Sequence, residues 1–133
     1  MRAAFDCALN FTKTEKRGGA EPIIGHQAVD YALADAKMAI EAVRSLFDTQ
    51  APGALELALH AKVFGSETAV RVISDLTRVV GIDSYDRTLP LGDLLADALV
   101  LPLFDGGNMG VRRRQLHELM QMPDYDPLAT SGD

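Results

Sequence analysis

The sequence carries a single cysteine, Cys7, and so lacks the pair that an internal disulfide requires. A lone thiol suits a reducing cytoplasm, and Cys7 has no partner motif around it, which predicts a packing residue rather than a reactive one. Positive charge is also scarce: 13 Lys and Arg stand against 19 Asp and Glu, a net charge of −6. Phosphate neutralisation needs a basic face, so nucleic acid is not an expected partner. No apolar run approaches the roughly 20 residues that span a bilayer, and no signal-peptide pattern follows Met1, so the expectation is a non-membrane, cytoplasmic domain. Gly-x-Ser-x-Gly and phosphate-loop glycine patterns are missing. His26, His60 and His117 are the only histidines, and no two have the i, i+4 spacing of a helical metal site, so no metal is expected. Strand-like alternation is rare, and there is no internal repeat.

What is present is helical periodicity. The length of 133 residues fits one domain able to bury roughly two-thirds of its unfolded surface. Between Gly25 and Gln50, Val29, Leu33, Ala36, Ile40, Val43 and Phe47 recur at spacings of four and three, drawing one apolar seam along a helix. Lys37, Glu41 and Arg44 lie on another face at pairing distance. A second long helix reads from Pro52 to Gly81, with Leu59, Val63, Ser66, Val70, Ile73, Thr77 and Val80 in its seam. Beside that seam runs a strip of small residues, Ala54, Ala58, Ala61, Gly65 and Ala69, that allows close approach of a neighbour. Shorter helices are predicted at about Arg2–Glu15, with Phe5, Ala8, Leu9 and Thr12 inward, and at about Pro90–Leu101 and Met109–Met122. The fold class is therefore all-α, an antiparallel up-down helical bundle over residues 1–122, with 123–133 as a flexible tail.

Two turns hold candidate chemistry. In "LPLFDGGNMGVRRRQL", Asp105 precedes two glycines that let the backbone turn sharply or approach a ligand. Asn108 is placed to cap the next helix, and Arg112, Arg113 and Arg114 fall in its opening turns, where positive charge opposes the helix dipole and calls for an anion. The second turn, "KRGGAEP" at Lys16–Pro22, is a basic exit from the first helix, where positive charge offsets the dipole.

The order of these pieces resembles a known family. "EPIIGHQAVDYALADAKMAIEAVR" is similar to the segment of acyl-CoA dehydrogenases in which a Pro-Ile/Gly-x-x-Gln stretch opens a long helix containing Leu-Ala-Asp. "AKVFGSETAVRV" resembles the family's next helix, Ala-Lys-x-x-Ala-(Ser/Gly)-x-x-Ala. "DALVLPLFDGGN" resembles its Arg-Asp-Ala-x-(Val/Ile)-x-x-Ile-(Tyr/Phe)-Glu-Gly-Thr-x-Glu. The likeness runs in order over nearly the whole chain. It implies the C-terminal helical domain of an FAD flavoprotein, with N-terminal and middle domains supplied by another segment or chain, and assembly into a homo-oligomer.

The resemblance also implies roles. The family's base is the glutamate of Glu-Gly-Thr, which corresponds to Asp105, one methylene shorter; Gly107 and Asn108 follow where the family has Thr-x-Glu. Lys16, or Arg17 in a register one residue later, stands at the family's arginine that approaches the FAD pyrophosphate of a neighbouring subunit. His26 and Gln27 match the His/Phe-Gln pair near the flavin, and Gly81 with Tyr85 survives from a glycine turn. The three arginines are a candidate contact for coenzyme or carrier phosphate. The implied activity is α,β-desaturation of an acyl-CoA or acyl-carrier-protein thioester; the alternatives are flavin-dependent oxygenation or other tailoring chemistry on the same bundle, and a non-catalytic assembly module without flavin.

Overall fold

The computed structural model describes residues 1–48 and 55–127. Five α-helices form the bundle: α1 (Arg2–Thr14), α2 (Gln27–Asp48), α3 (Leu55–Val80), α4 (Leu91–Val100) and α5 (Arg113–Met120). Short 3-10 turns at Ile23–Gly25 and Gly81–Tyr85 lead into α2 and α4, and a π-helical turn at Gly107–Arg112 leads into α5. No strand occurs among the described residues, in keeping with the all-α expectation.

The helices α2 and α3 run antiparallel. Val43 and Phe47, late in α2, lie beside Gly65, while Ala28 and Val29 at its start line a groove with Val79 near the end of α3. Leu33, Ala36, Ile40 and Val43 are buried as the seam predicts, whereas Val29 is half-buried and Phe47 keeps half its surface exposed. In α1 the inward face is Ala4, Ala8 and Thr12, with Phe5 and Leu9 half-buried. The buried Thr12 hydroxyl donates to Leu9 O at 3.0 Å, so the helix satisfies its own polar atom.

The central helix α3 departs from a one-seam reading. Its neighbours α1, α2, α4 and α5 surround it. Val72 and Leu76, outside the expected seam, are almost fully buried, while Val70 and Thr77 within it are only half-buried. A helix packed on several sides has no single apolar stripe. Of the small-residue strip, Ala61, Gly65 and Ala69 are buried and Ala58 is exposed; Ala54 and Pro52 lie outside the described residues. At the far end, Met122–Tyr125 folds back so that the Tyr125 hydroxyl donates to Glu56 Oε1 at 2.8 Å. The expected tail lies outside the described residues from position 128.

Candidate active site

Pro102 lacks the N–H that α4 would need to continue, and the chain leaves the helix at Val100. Three consecutive residues then adopt left-handed backbone, Asp105 (φ 57°), Gly106 (φ 83°) and Gly107 (φ 72°). Glycine takes this conformation freely; for Asp105 it is unusual and needs surrounding support. The turn closes when Asn108 N–H donates to Pro102 O at 2.8 Å and Gly107 N–H donates to Phe104 O at 3.1 Å.

Asn108 is not a helix cap. It is 1% exposed, inside the π-helical turn, and its side chain faces α3. Its Nδ2 donates to Ser66 Oγ at 2.8 Å, and Lys62 Nζ donates to its Oδ1 at 3.2 Å. The cap position falls instead on Gly106, which has no side chain to offer. The wider π turn begins the helical segment two residues earlier than expected and swings Arg112 back over the glycine turn.

There Arg112 Nη2 forms an ion pair with Asp105 Oδ2. The guanidinium is largely buried, 18% exposed, and its Nη1 donates to Gln115 Oε1 at 2.9 Å. The carboxylate is 68% exposed, and its Oδ1 makes no hydrogen bond among the described residues. Leu103, Phe104 and Met109, close to the pair along the chain, are all strongly exposed. The other two arginines diverge: Arg113 pairs with Glu67 at 2.8 Å and Arg114 with Glu118 at 3.5 Å. The anions that the arginine run calls for are thus the chain's own carboxylates.

A second group of candidate residues gathers at the opposite end of α3. Arg17, with φ 47°, sends its guanidinium to Val80 O and to Asp83 Oδ2 at 3.1 Å, and lies over the Phe11 ring. It therefore caps α3 rather than offsetting the dipole of α1, because the left-handed turn at Arg17 and Gly18 redirects it. Gly81 (φ 71°) sits beneath it; a Cβ there would come within 3.1 Å of the guanidinium. Lys16 is exposed, and no hydrogen bond or ion pair holds its ammonium among the described residues. His26 and Gln27 are exposed at the start of α2, with Gln27 Nε2 donating to Tyr31 Oη at 2.7 Å. The exposed Lys16 ammonium, His26 imidazole and Gln27 amide are hydrogen-bonding groups whose chemistry suits a diphosphate and the polar edge of a flavin.

The structure therefore brings the candidates together as two groups, not one. Ser66, against Asn108, and Val80, against Arg17, are separated by fourteen residues of α3, roughly 21 Å at 1.5 Å per residue. Lys62 and Ser66, which hold the glycine turn, carry no sequence signal of that role. Among the described residues no group of three His, Cys, Asp or Glu side chains comes together. His60 lies near Glu56 and His117 near Gln121, while burial pushes the Cys7 thiol up in pKa.

A helical bundle with an acidic glycine turn of this kind defines a class. The model of the acyl-CoA dehydrogenase C-terminal domain matches residues 1–120, and the chain belongs to that family. Within it, the chain is similar to nitroalkane oxidase of Podospora anserina, 49% identical over 136 residues that cover 95% of this chain and 32% of that protein. The solved structure of the Podospora anserina enzyme superposes with a TM-score of 0.91 at 47% identity, covering 98% of this chain and 33% of that one. A further nitroalkane oxidase structure, TM-score 0.92 at 36% identity over 98% of this chain and 33% of that one, concerns the roles of one arginine and one aspartate in the reaction of that flavoprotein. Those two residues are seven positions apart in its chain. The chain thus spans about a third of the length of these relatives, and relatives of both the nitroalkane oxidase and acyl-CoA dehydrogenase kinds are FAD flavoproteins.

Proposed function

We propose that this chain is the C-terminal bundle of an FAD-dependent oxidase of carbon acids, with nitroalkanes as the substrate class and Asp105 as the base. One observation carries the reading. Asp105 and Arg112 form an ion pair on the glycine turn, seven positions apart, the same separation as the aspartate and arginine studied in nitroalkane oxidase.

The chemistry follows from the pair. A nitro group acidifies the C–H bond beside it, because the charge left on carbon spreads onto the nitro oxygens. A carboxylate removes that proton only when held within reach of the carbon. Arg112 engages Oδ2 and fixes the carboxylate plane by a charge-assisted bond, leaving Oδ1 to accept the proton. The exposed apolar side chains of Leu103, Phe104 and Met109 are suited to be covered by the remaining two-thirds of the enzyme, which would exclude water from the transfer. When bound, FAD supplies the two-electron acceptor for the carbanion. Lys16, His26 and Gln27 are the residues we assign to flavin. Their distance from Asp105 suits the flavin of a neighbouring subunit in a homo-oligomer, as the family resemblance implies.

Desaturation of an acyl-CoA or acyl-carrier thioester is the second reading, favoured by the family match and by the carboxylate standing at the family's base position. A direct assay separates the two. The complete enzyme is expected to turn over a primary nitroalkane and not an acyl-CoA. Asp105→Asn is expected to slow turnover of the neutral nitroalkane by about 100-fold or more while flavin stays bound. Turnover of acyl-CoA alone would replace the reading with the thioester one, and an unaffected Asp105→Asn enzyme would remove Asp105 as the base.

A further inference from the structure

We infer that Lys62, acting with Asn108 and Ser66, is a positioning device that holds Asp105 in its reactive place; the inference rests on the reading of Asp105 as a base. The Asp105 turn is a loop from Leu101 to Asn108, and both of its ends are tied to the same turn of α3. Lys62 Nζ donates to Leu101 O at 2.7 Å and to Asn108 Oδ1 at 3.2 Å, so one ammonium bridges the loop's two ends. From the other side Asn108 Nδ2 donates to Ser66 Oγ at 2.8 Å, and the Ser66 hydroxyl donates to Lys62 O at 2.6 Å.

Each contact answers a physical need. Leu101 O belongs to the end of α4, where carbonyls lack helical partners. Asn108 is buried, so its amide must find polar partners inside the fold. Asp105, the one non-glycine among the three left-handed residues between these ends, keeps that backbone only if its surroundings over-determine it. Arg113 adds a brace by donating to Asn108 O at 3.2 Å while pairing with Glu67. None of these groups reaches the Asp105 carboxylate. Their effect is on where the loop carries it relative to the substrate carbon and to Arg112.

The step they support is one proton transfer. The α C–H bond breaks, its electron pair stays on the nitroalkane as the nitronate, and the proton moves to Asp105 Oδ1. A nitronate supplied ready-made needs no such transfer. The ratio of flavin-reduction rates with nitroethane and with ethyl nitronate therefore reports base positioning apart from binding or general folding.

In the complete flavin-loaded enzyme, Lys62→Met is expected to lower that ratio by about 10- to 100-fold, the scale of an ångström-sized misplacement, with Lys62→Arg restoring most of it. Independently of activity, the Gly107 and Asn108 amides are expected to exchange hydrogen faster in Lys62→Met while amides of α2 keep their rates. An unchanged ratio, or equal losses with both substrates, would overturn the inference, as would unaltered exchange at Gly107 and Asn108. If Lys62→Met does not fold, Ser66→Ala carries the same two measurements. Asp105→Asn keeps the two ideas apart. A collapsed ratio in Asp105→Asn with a normal one in Lys62→Met defeats only the positioning role. A normal ratio in Asp105→Asn defeats the base assignment beneath it.

Discussion

Gly106 and Gly107 share a left-handed backbone but not the same surroundings. A Cβ on Gly106 would come within 3.1 to 3.2 Å of the Val111 side chain, whereas the nearest atom to one on Gly107 is Pro102 O at 3.8 Å. Gly106→Ala combines backbone strain with a clash and is expected to destabilise by about 2 kcal/mol or more, against about 1 kcal/mol for Gly107→Ala. Urea unfolding of the two variants beside Gly25→Ala, where open space surrounds the position, checks that order. At Arg112 the prediction concerns the forked guanidinium, which serves Asp105 and Gln115 at once. Arg112→Lys keeps the charge but not the fork, and is expected to slow nitroalkane turnover by about tenfold or more with little change in melting temperature; equal rates for variant and parent would show that the pair does not orient the base. Asp105 was legible as a candidate from its place in the glycine turn. Its partnership with Arg112 was not, because three consecutive arginines look alike until the fold gives each a different carboxylate.

The element that decides this is the π-helical turn at Gly107–Arg112. Such a turn acts as an extra residue in a regular helix, and nothing in the Gly-Asn-Met-Gly-Val-Arg composition marks it. Deleting Gly110 should remove that extra residue, let the segment relax to an α-helix and change how closely Arg112 approaches Asp105. Helical content by circular dichroism is expected to stay the same while nitroalkane turnover falls; retained turnover would mean that the pair forms without the π turn. In α2 the charge pattern was legible, since i, i+3 and i, i+4 neighbours are fixed by helical geometry. Lys37 bonds Glu41 and Arg44 lies 3.3 Å from its other oxygen. The Lys37 hydrogen bond, followed by the Arg44 charge, holds the Glu41 carboxyl below its ordinary pKa. A pKa depressed in the folded state contributes stability above the unfolded-chain value of about 4.3, and that contribution fades as pH falls through the folded value. Glu41→Gln is therefore expected to flatten the acid limb of melting temperature against pH below about pH 5; an unchanged limb would show that this exposed network adds nothing measurable.

At the scale of the whole molecule, the exposed apolar side chains are the informative feature. Met109 and Tyr85 are each 85% exposed, and Ile82, Leu103 and Phe104 are also largely uncovered. Patches of this kind mark surfaces that bind something, and the chain spans about a third of its relatives. We expect the 133-residue chain expressed alone to be colourless and self-associating, and to show oxidised-flavin absorption only with the segment that supplies the other two-thirds. Gel filtration with absorbance detection checks both points. A yellow, monomeric chain would show that this bundle holds flavin by itself.

The sequence by itself determined the helices α1 to α4, most of the inward face of α2, and the acidic glycine turn as the place to look for chemistry. These are local properties: a periodicity of 3.6 residues and the backbone freedom of glycine act within a few positions of where they are written. Only the tertiary structure decided that Asn108 is an anchor and not a cap, that Arg17 closes the end of α3, and that Lys62 ties down a loop 46 residues away. A buried polar group must take its partner from whatever the fold places beside it, and such a partner has no fixed distance along the chain.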